Sequence, residues 1–192
     1  YRIGAYRKVG ERGMKVFVCD LSRCNGCRSC QIVCKDEHCD VDWGGYAAPQ
    51  PETGQFWMDV KEEVRGAVPV VRTSFTPTLC CHCDECVLAD VAPEAVQKRS
   101  DGMVIIDPVK AKGNRALVDA CPHHVVFWNE ALELPQKCTG CAHLLDDGWA
   151  VPRCVDVCPT GAWRFGEEEE FADEIARGEA PQPVSDLGPR VY

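Results

Sequence analysis

The sequence predicts an α+β fold of short strands and short helices, arranged as tandem cysteine-loop modules with one inserted loop region. Three observations carry that prediction. Cysteines recur as Cys24-x2-Cys27-x2-Cys30-x3-Cys34 near one end, and as Cys138-x2-Cys141 with Cys154-x3-Cys158-Pro159 near the other. The order cysteine loop, strand, helix, Cys-Pro, strand runs through the chain twice. Hydrophobic residues make up 45% of the 192 residues, but much of that share is cysteine, valine beside glycine and scattered aromatics. A conventional large core is therefore not expected, and bound metal takes over as internal cross-link, so that removing it unfolds the domain.

Val16–Cys19 is an apolar run ahead of the first motif and reads as a strand. Helical character begins inside the motif and runs through Cys34 to about Glu37. From Trp43 to Thr78 no ligand pattern occurs, and Trp43, Gly44, Gly45, Tyr46, Pro49, Pro51 and Trp57 mark an insertion with short strands near Phe56–Val60 and Val68–Phe75. Such a loop docks a partner or covers the first cysteine loop. Next come Cys80, Cys81, Cys83 and Cys86, a strand over Gly102–Asp107, a helix over Asn114–Ala120 ending at Cys121-Pro122, and a strand over Val125–Trp128. The same punctuation returns as Cys138–Cys141, a helix over Ala142–Leu145, Cys158-Pro159 and a strand over Trp163–Phe165. Glu167–Glu170 opens an acidic helix to Arg177, and the tail with Pro181, Pro183 and Pro189 reads as extended. The expected organisation is one domain over 14–166, with 14–42 plus 131–166 repeated as 79–130, an insertion over 43–78, and the acidic helix and tail over 167–192.

The formal charge of −9 disfavours nucleic acid and anionic membranes as partners, and no apolar run has the length of a membrane span. Tyr1–Lys15 is basic but lacks the apolar centre of a secretory signal. A reducing cytoplasm is the expected setting, with export alongside a signal-bearing partner subunit as the other route. A disulfide scaffold fits poorly with an odd count of fifteen cysteines, the repeated x2 spacing and the chain length. Zinc ribbons use paired Cys-x2-Cys units, but not with a third cysteine at x2 and a fourth at x3. No GxGxxG, P-loop or nucleophile constellation is present, so no catalytic residue is assigned.

The x2, x2, x3 spacing is that of bacterial ferredoxins, whose paired motifs exchange ligands: three thiolates of one loop and the last of its partner hold each 4Fe–4S cluster. By that rule Cys24, Cys27, Cys30 and Cys158 hold a first cluster, and Cys34, Cys138, Cys141 and Cys154 a second. Cys80, Cys83, Cys86 and the distant Cys121 hold a third, with Cys81 as the alternative to Cys86 because x4 replaces x2 in some motifs. Cys19, Cys39 and Cys81 are left over and read as small buried residues. Counting back from Cys121 lands on Leu117, Asn114 and Ala111, and the second motif closes on Ala92-Pro93, so all four ligands of a fourth cluster are missing together. His82, His123, His124 and His143 lie beside ligands and read as hydrogen bonding or packing residues. Asp146 and Asp147 are adjacent on a helix and point apart, which fits a cap or an interface better than a carboxylate pair.

With these features the chain resembles, over roughly Lys15 to Gly166, the iron–sulfur subunits of molybdopterin oxidoreductases related to dimethyl sulfoxide reductase. Within that family it is most similar to the small subunits of pyrogallol–phloroglucinol transhydroxylases. The carrying stretches are Ile106-Asp-Pro-Val-Lys-Ala-Lys-Gly113, Cys121-Pro122, Trp128-Asn-Glu130, Gln136-Lys-Cys-Thr-Gly-Cys-Ala-His-Leu-Leu-Asp-Asp147 and Pro152-Arg-Cys154. Two departures are Cys158-Pro159-Thr160-Gly161, the ordinary ferredoxin ending, and an end at Tyr192, where the transhydroxylase subunit is expected to continue. The resemblance implies a non-catalytic electron-transfer subunit with three 4Fe–4S clusters. Its partner would be a large catalytic subunit holding a molybdenum bis-pterin cofactor and acting on polyhydroxylated aromatics, as a transhydroxylase or a catechol dehydroxylase. The first cluster would lie nearest that subunit, and a soluble donor would replace the membrane subunit of many relatives. Alternatives are the same subunit for a sulfur compound, an oxyanion or formate, and a free polyferredoxin.

Overall fold

The computed structural model describes residues 13–177 and 191. The basic stretch before residue 13 and the three tail prolines lie outside the described residues. The strands are β1 (Lys15–Cys19), β2 (Asp59–Ala67), β3 (Val70–Thr78), β4 (Val96–Lys98), β5 (Val104–Ile106), β6 (Phe127–Asn129), β7 (Leu134–Gln136) and β8 (Trp163–Glu167). The helices are α1 (Ser29–His38), α2 (Val87–Val91), α3 (Ala116–Ala120), α4 (Ala142–Asp146), α5 (Arg153–Asp156) and α6 (Ala172–Arg177). Mixed short strands and helices make this a small α+β fold.

Four antiparallel pairs account for all the strands described: β1–β8, β2–β3, β4–β5 and β6–β7. The first of them organises the molecule. Pairing from Lys15 with Glu167 to Cys19 with Trp163 brings the loop after β1 beside the Cys-Pro step before β8. Val16 and Phe17 are fully buried on this ribbon, and α1 packs on α5 beneath it. Helix α1 turns an unusual stripe inward: Cys30, Cys34 and His38, spaced by four, are all buried.

The insertion is the main correction to the sequence reading. Strands expected near Phe56–Val60 and Val68–Phe75 are instead two nine-residue strands, β2 and β3, with Val68 and Pro69 as the turn between them. Most of this hairpin is exposed on both faces, so Lys61-Glu-Glu-Val-Arg65 has no buried side to write an alternating pattern. Its base does have one: Val60, Trp57 and Met58 are buried against Phe17 and Leu79. Four elements had no sequence expectation, α2, β4, β7 and α5, all five residues or shorter. The acidic stretch begins as a 3-10 turn, Glu168–Phe171, before α6, and Glu167 and Glu170 form a reciprocal capping box at its start.

Three apolar clusters result among the described residues, the smallest of them Val16, Val18 and Phe171. One gathers Phe17, Trp57, Met58, Met103, Trp163 and Phe165 around seven buried cysteines. A second, under α2 and α3, holds Leu88, Ala92, Val96, Val104, Ile106, Ala111, Leu117 and Val126, with Cys121 at its edge.

Candidate metal centres

All fifteen cysteines are free thiols; Cys30 neighbours Cys24, Cys27 and Cys158, with Cys19 beside them; Cys154 neighbours Cys34, Cys138 and Cys141; and Cys83 neighbours Cys80, Cys86 and Cys121, with Cys81 beside them. Cys24 and Cys27 sit on the loop between a 3-10 turn (Leu21–Arg23) and α1, Cys30 on the first turn of α1, and Cys158 at the Cys-Pro step. Cys27 is exposed, and Gly26 beside it lies directly under the ring of Phe75 from β3, so the hairpin base caps this loop. A salt bridge of 3.7 Å from Arg28 to Glu62 ties the same two elements. Burial pushes the Cys30 thiol up to about 11, and the neighbouring Cys27, Cys158 and Cys24 add to the rise. Burial raises Cys158 too, but hydrogen bonds from the Trp163 backbone, the Thr160 hydroxyl and the Ala162 backbone outweigh it and leave this thiol below its ordinary range.

The second group is the deepest. Burial, followed by the charges of Cys138 and Cys141, holds Cys34 well above its ordinary value; Cys154 is held up by burial, then Cys141, Cys138 and Cys34. Burial also lifts Cys138 to about 11 and Cys141 to about 12. In the third group burial pushes Cys83 to about 12, helped by Cys80, Cys86 and Cys121. The second group adjoins both of the others. Cys154 of the second feels Cys30 of the first, and Cys138 of the second feels Cys80 of the third.

Among the described residues, no three His, Cys, Asp or Glu side chains converge tightly enough to grip one metal ion. The donors are thiols, and backbone N–H groups point at their sulfurs: His82 N–H to Cys80 Sγ at 3.5 Å, Gly140 N–H to Cys138 Sγ at 3.3 Å. That donor chemistry fits an iron–sulfur cluster.

Among the described residues, three side chains approach the sulfurs of the proposed ligands. His123 Nε2 lies 3.6 Å from Cys83 Sγ, His38 Nε2 3.9 Å from Cys141 Sγ, and Thr160 Oγ1 3.7 Å from Cys158 Sγ. Of the four histidines expected near ligands, only His123 touches one in this way. His82 is fully buried, stacks on Phe17 and accepts the Val104 N–H at 3.0 Å, and His143 pairs with Glu37 at 3.2 Å. His124 lines a cavity, described next. His38 and Thr160 escaped the sequence reading, although the signal for His38 was there: it follows Cys34 by four residues on α1. Asp146 is neither cap nor carboxylate pair. It takes both forks of Arg99 at 2.9 Å and the Tyr46 hydroxyl at 2.7 Å, tying α4 to the segment after β4.

The leftover cysteines divide. Cys81 is buried, whereas Cys19 and Cys39 are half-buried. Cys19 and Cys81 both face a cavity of about 810 Å³ between the hairpin base and the body, walled by Phe56, Trp57, Phe127 and Trp163 with His123 and His124. The positions counted as lost ligands have a clear fate: Ala92, Ala111 and Leu117 are fully buried in the second apolar cluster, and Asn114 is half-buried.

Neighbouring thiols on ferredoxin-type loops, with backbone N–H groups aimed at their sulfurs, are the features of an iron–sulfur protein. The 4Fe–4S dicluster domain family matches residues 71–168, about half of the chain, and this chain belongs to that family. It is 39% identical over 183 residues to the small subunit of pyrogallol hydroxytransferase from Pelobacter acidigallici, covering 92% of this chain and 66% of that one. It is 33% identical over 160 residues to a tetrathionate reductase subunit from Salmonella typhimurium, covering 82% of this chain and 59% of that one. A chain from Halobacterium salinarum, named for the iron–sulfur component of a dimethyl sulfoxide reductase, is 32% identical, over 84% of this chain and 69% of that one. The chain thus spans somewhat less than two thirds of the length of the first two relatives. Among the described residues no helix is long and apolar enough to cross a membrane.

Proposed function

We propose that this chain is the electron-transfer iron–sulfur subunit of a molybdopterin oxidoreductase complex acting on polyhydroxylated aromatics, of transhydroxylase or catechol dehydroxylase type. It holds three 4Fe–4S clusters: one on Cys24, Cys27, Cys30 and Cys158, one on Cys34, Cys138, Cys141 and Cys154, and one on Cys80, Cys83, Cys86 and Cys121. The observation that carries the reading is the contiguity of the thiol groups, with the second adjoining the first and the third. Bound clusters supply one-electron chemistry at potentials set by burial, charge and hydrogen bonds to sulfur. The residues of this chain hold them in order, exclude water and donate to the ligand sulfurs.

Three clusters, rather than four, are supported by the apolar packing of Ala92, Ala111 and Leu117 where a fourth set of ligands would stand. Cys83 feels Cys80, Cys86 and Cys121, and Cys81 feels Cys80, Cys83 and Cys121 as well; Cys86 is taken as third ligand, with Cys81, which also faces the cavity, as its alternative. Residues 14–166 read as one tandem ferredoxin-like unit, since β1 and β8 join its two ends. The first group, with Cys27 exposed, is the entry to the relay and faces the catalytic partner. That partner carries the molybdenum bis-pterin cofactor, exchange with other proteins is through a soluble donor, and the setting is cytoplasmic.

The test is metal analysis of the native complex purified without oxygen. About 12 irons per copy of this chain, four for each cluster, with co-purifying molybdenum, is the expected result. Zinc in place of iron overturns the reading, and iron with no molybdenum or tungsten points to a free polyferredoxin. A second reading, the same subunit serving a sulfur-compound reductase, is favoured by the tetrathionate and dimethyl sulfoxide relatives. Assays of the complex on pyrogallol, tetrathionate and dimethyl sulfoxide separate the two.

A further inference from the structure

His38 is the most deeply placed of the side chains that touch a cysteine sulfur. It is 2% exposed, its ring lies 4.8 Å from that of Trp57 and edge-on to His143 at 5.3 Å, and its Nε2 faces Cys141 Sγ at 3.9 Å. The other ring nitrogen, Nδ1, is buried without a partner. A neutral imidazole carries one N–H, and a sulfur bound to iron only accepts. With the proton on Nε2 the ring donates to Cys141, and the atom left alone is a lone pair at Nδ1. The opposite tautomer would bury an unpaired N–H, the costlier orphan.

The surroundings hold the ring in that pose. His143, which closes one side, is stacked on Trp43 at 4.1 Å and bonded to Glu37 at 3.2 Å; the second oxygen of Glu37 takes Arg153 Nε at 3.1 Å. The His38 carbonyl accepts the Gln50 N–H at 2.7 Å. The comparable contacts of Thr160 and His123 are half-buried, where water competes for the sulfur.

We propose that His38 is a positioning residue for the second cluster, donating Nε2–H to Cys141 and raising that cluster's reduction potential. This rests on the assignment of Cys34, Cys138, Cys141 and Cys154 to one cluster. A donor to sulfur stabilises the more negative, reduced state, so removing it shifts the couple toward oxidation.

The experiment is an EPR-monitored redox titration of the iron-loaded chain in its complex, comparing the unmutated protein with His38→Phe and His38→Gln. In His38→Phe, which keeps a ring against Trp57, one of three midpoints falls about tenfold in equilibrium, about 59 mV for one electron, while the other two hold. His38→Gln, which retains an N–H, recovers part of that shift. Three unmoved midpoints with iron intact overturn the role of His38 and leave the relay reading standing, whereas an unmutated chain without iron overturns the relay reading itself. If His38→Phe does not load its second cluster, pulsed EPR of protein carrying histidine labelled with 15N in the ring only, in a His123→Phe background, decides: a ring-nitrogen coupling to a reduced cluster supports the contact, and its absence overturns it.

Discussion

Gly140 offers the sharpest check on how the second thiol group is built. It lies between Cys138 and Cys141, has φ +66, and donates its N–H to Cys138 Sγ. A Cβ at this position would be built into the Sδ of Met103, which is itself fully buried. Gly140→Ala therefore incurs two penalties. The left-handed backbone costs an L-residue roughly 1–2 kcal/mol, and displacing a packed methionine costs roughly 1–3 kcal/mol, together roughly 2–5 kcal/mol. Gly148→Ala is the control: its φ is +94 but nothing lies within 4 Å of a Cβ there, so only the backbone cost of about 1–2 kcal/mol applies. Thermal melting of the iron-loaded protein without oxygen should fall by about 4–20 °C for Gly140→Ala and by about 2–8 °C for Gly148→Ala. Trimming the obstacle in Met103→Ala should narrow the gap between the two glycine variants, since residues in contact couple by about 0.5–3 kcal/mol. Equal losses at Gly140 and Gly148, unaffected by Met103→Ala, would refute the close approach and with it the packing described around Cys138.

The ligand assignment predicts that Cys86→Ser loses about four irons per chain while Cys81→Ser keeps them all; the reverse pattern would exchange the roles of Cys81 and Cys86. Lys137 is 3% exposed, donates to the Cys138 carbonyl at 3.0 Å and to that of Val104, and draws Cys86 and Cys138 downward by its charge. Lys137→Met should lower the midpoints of two clusters and leave the first unmoved, and a uniform shift of all three would count against this placement. The thiols of the iron-free fold, at about 11 for Cys30 and Cys138 and about 12 for Cys83 and Cys141, lie above the ordinary 9.0. Raised values favour the protonated fold below pH 9, a contribution lost as pH climbs through about 11 to 12, whereas holding iron requires thiolates and runs the opposite way. Iron release into a chelator should therefore accelerate from about pH 8 to about pH 6, and a flat or falling rate would contradict the thiolate ligands.

The sequence by itself determined the local chemistry. Spacings of x2 and x3 place thiols on one loop or one helical turn whatever the rest of the chain does, which is why the cysteine loops, α1 and the short strands at Val16, Val104 and Trp163 were legible. That Leu117, Asn114 and Ala111 stand at the offsets from Cys121 where further ligands would fall is legible for the same reason. Tertiary structure alone decided which loops meet. The β1–β8 register closes about 150 residues of chain to set Cys158 beside Cys30, and no residue between them encodes that distance locally. The length of the hairpin is not legible in the sequence because a ribbon exposed on both faces carries no period-two signal, and Phe75 over Gly26 and Val60 in the core show what its base covers. His38 makes the same point at the scale of one side chain. Its place on the α1 stripe follows from helical spacing, but its contact with Cys141, more than a hundred residues away, exists because α1 and the loop before α4 are packed together.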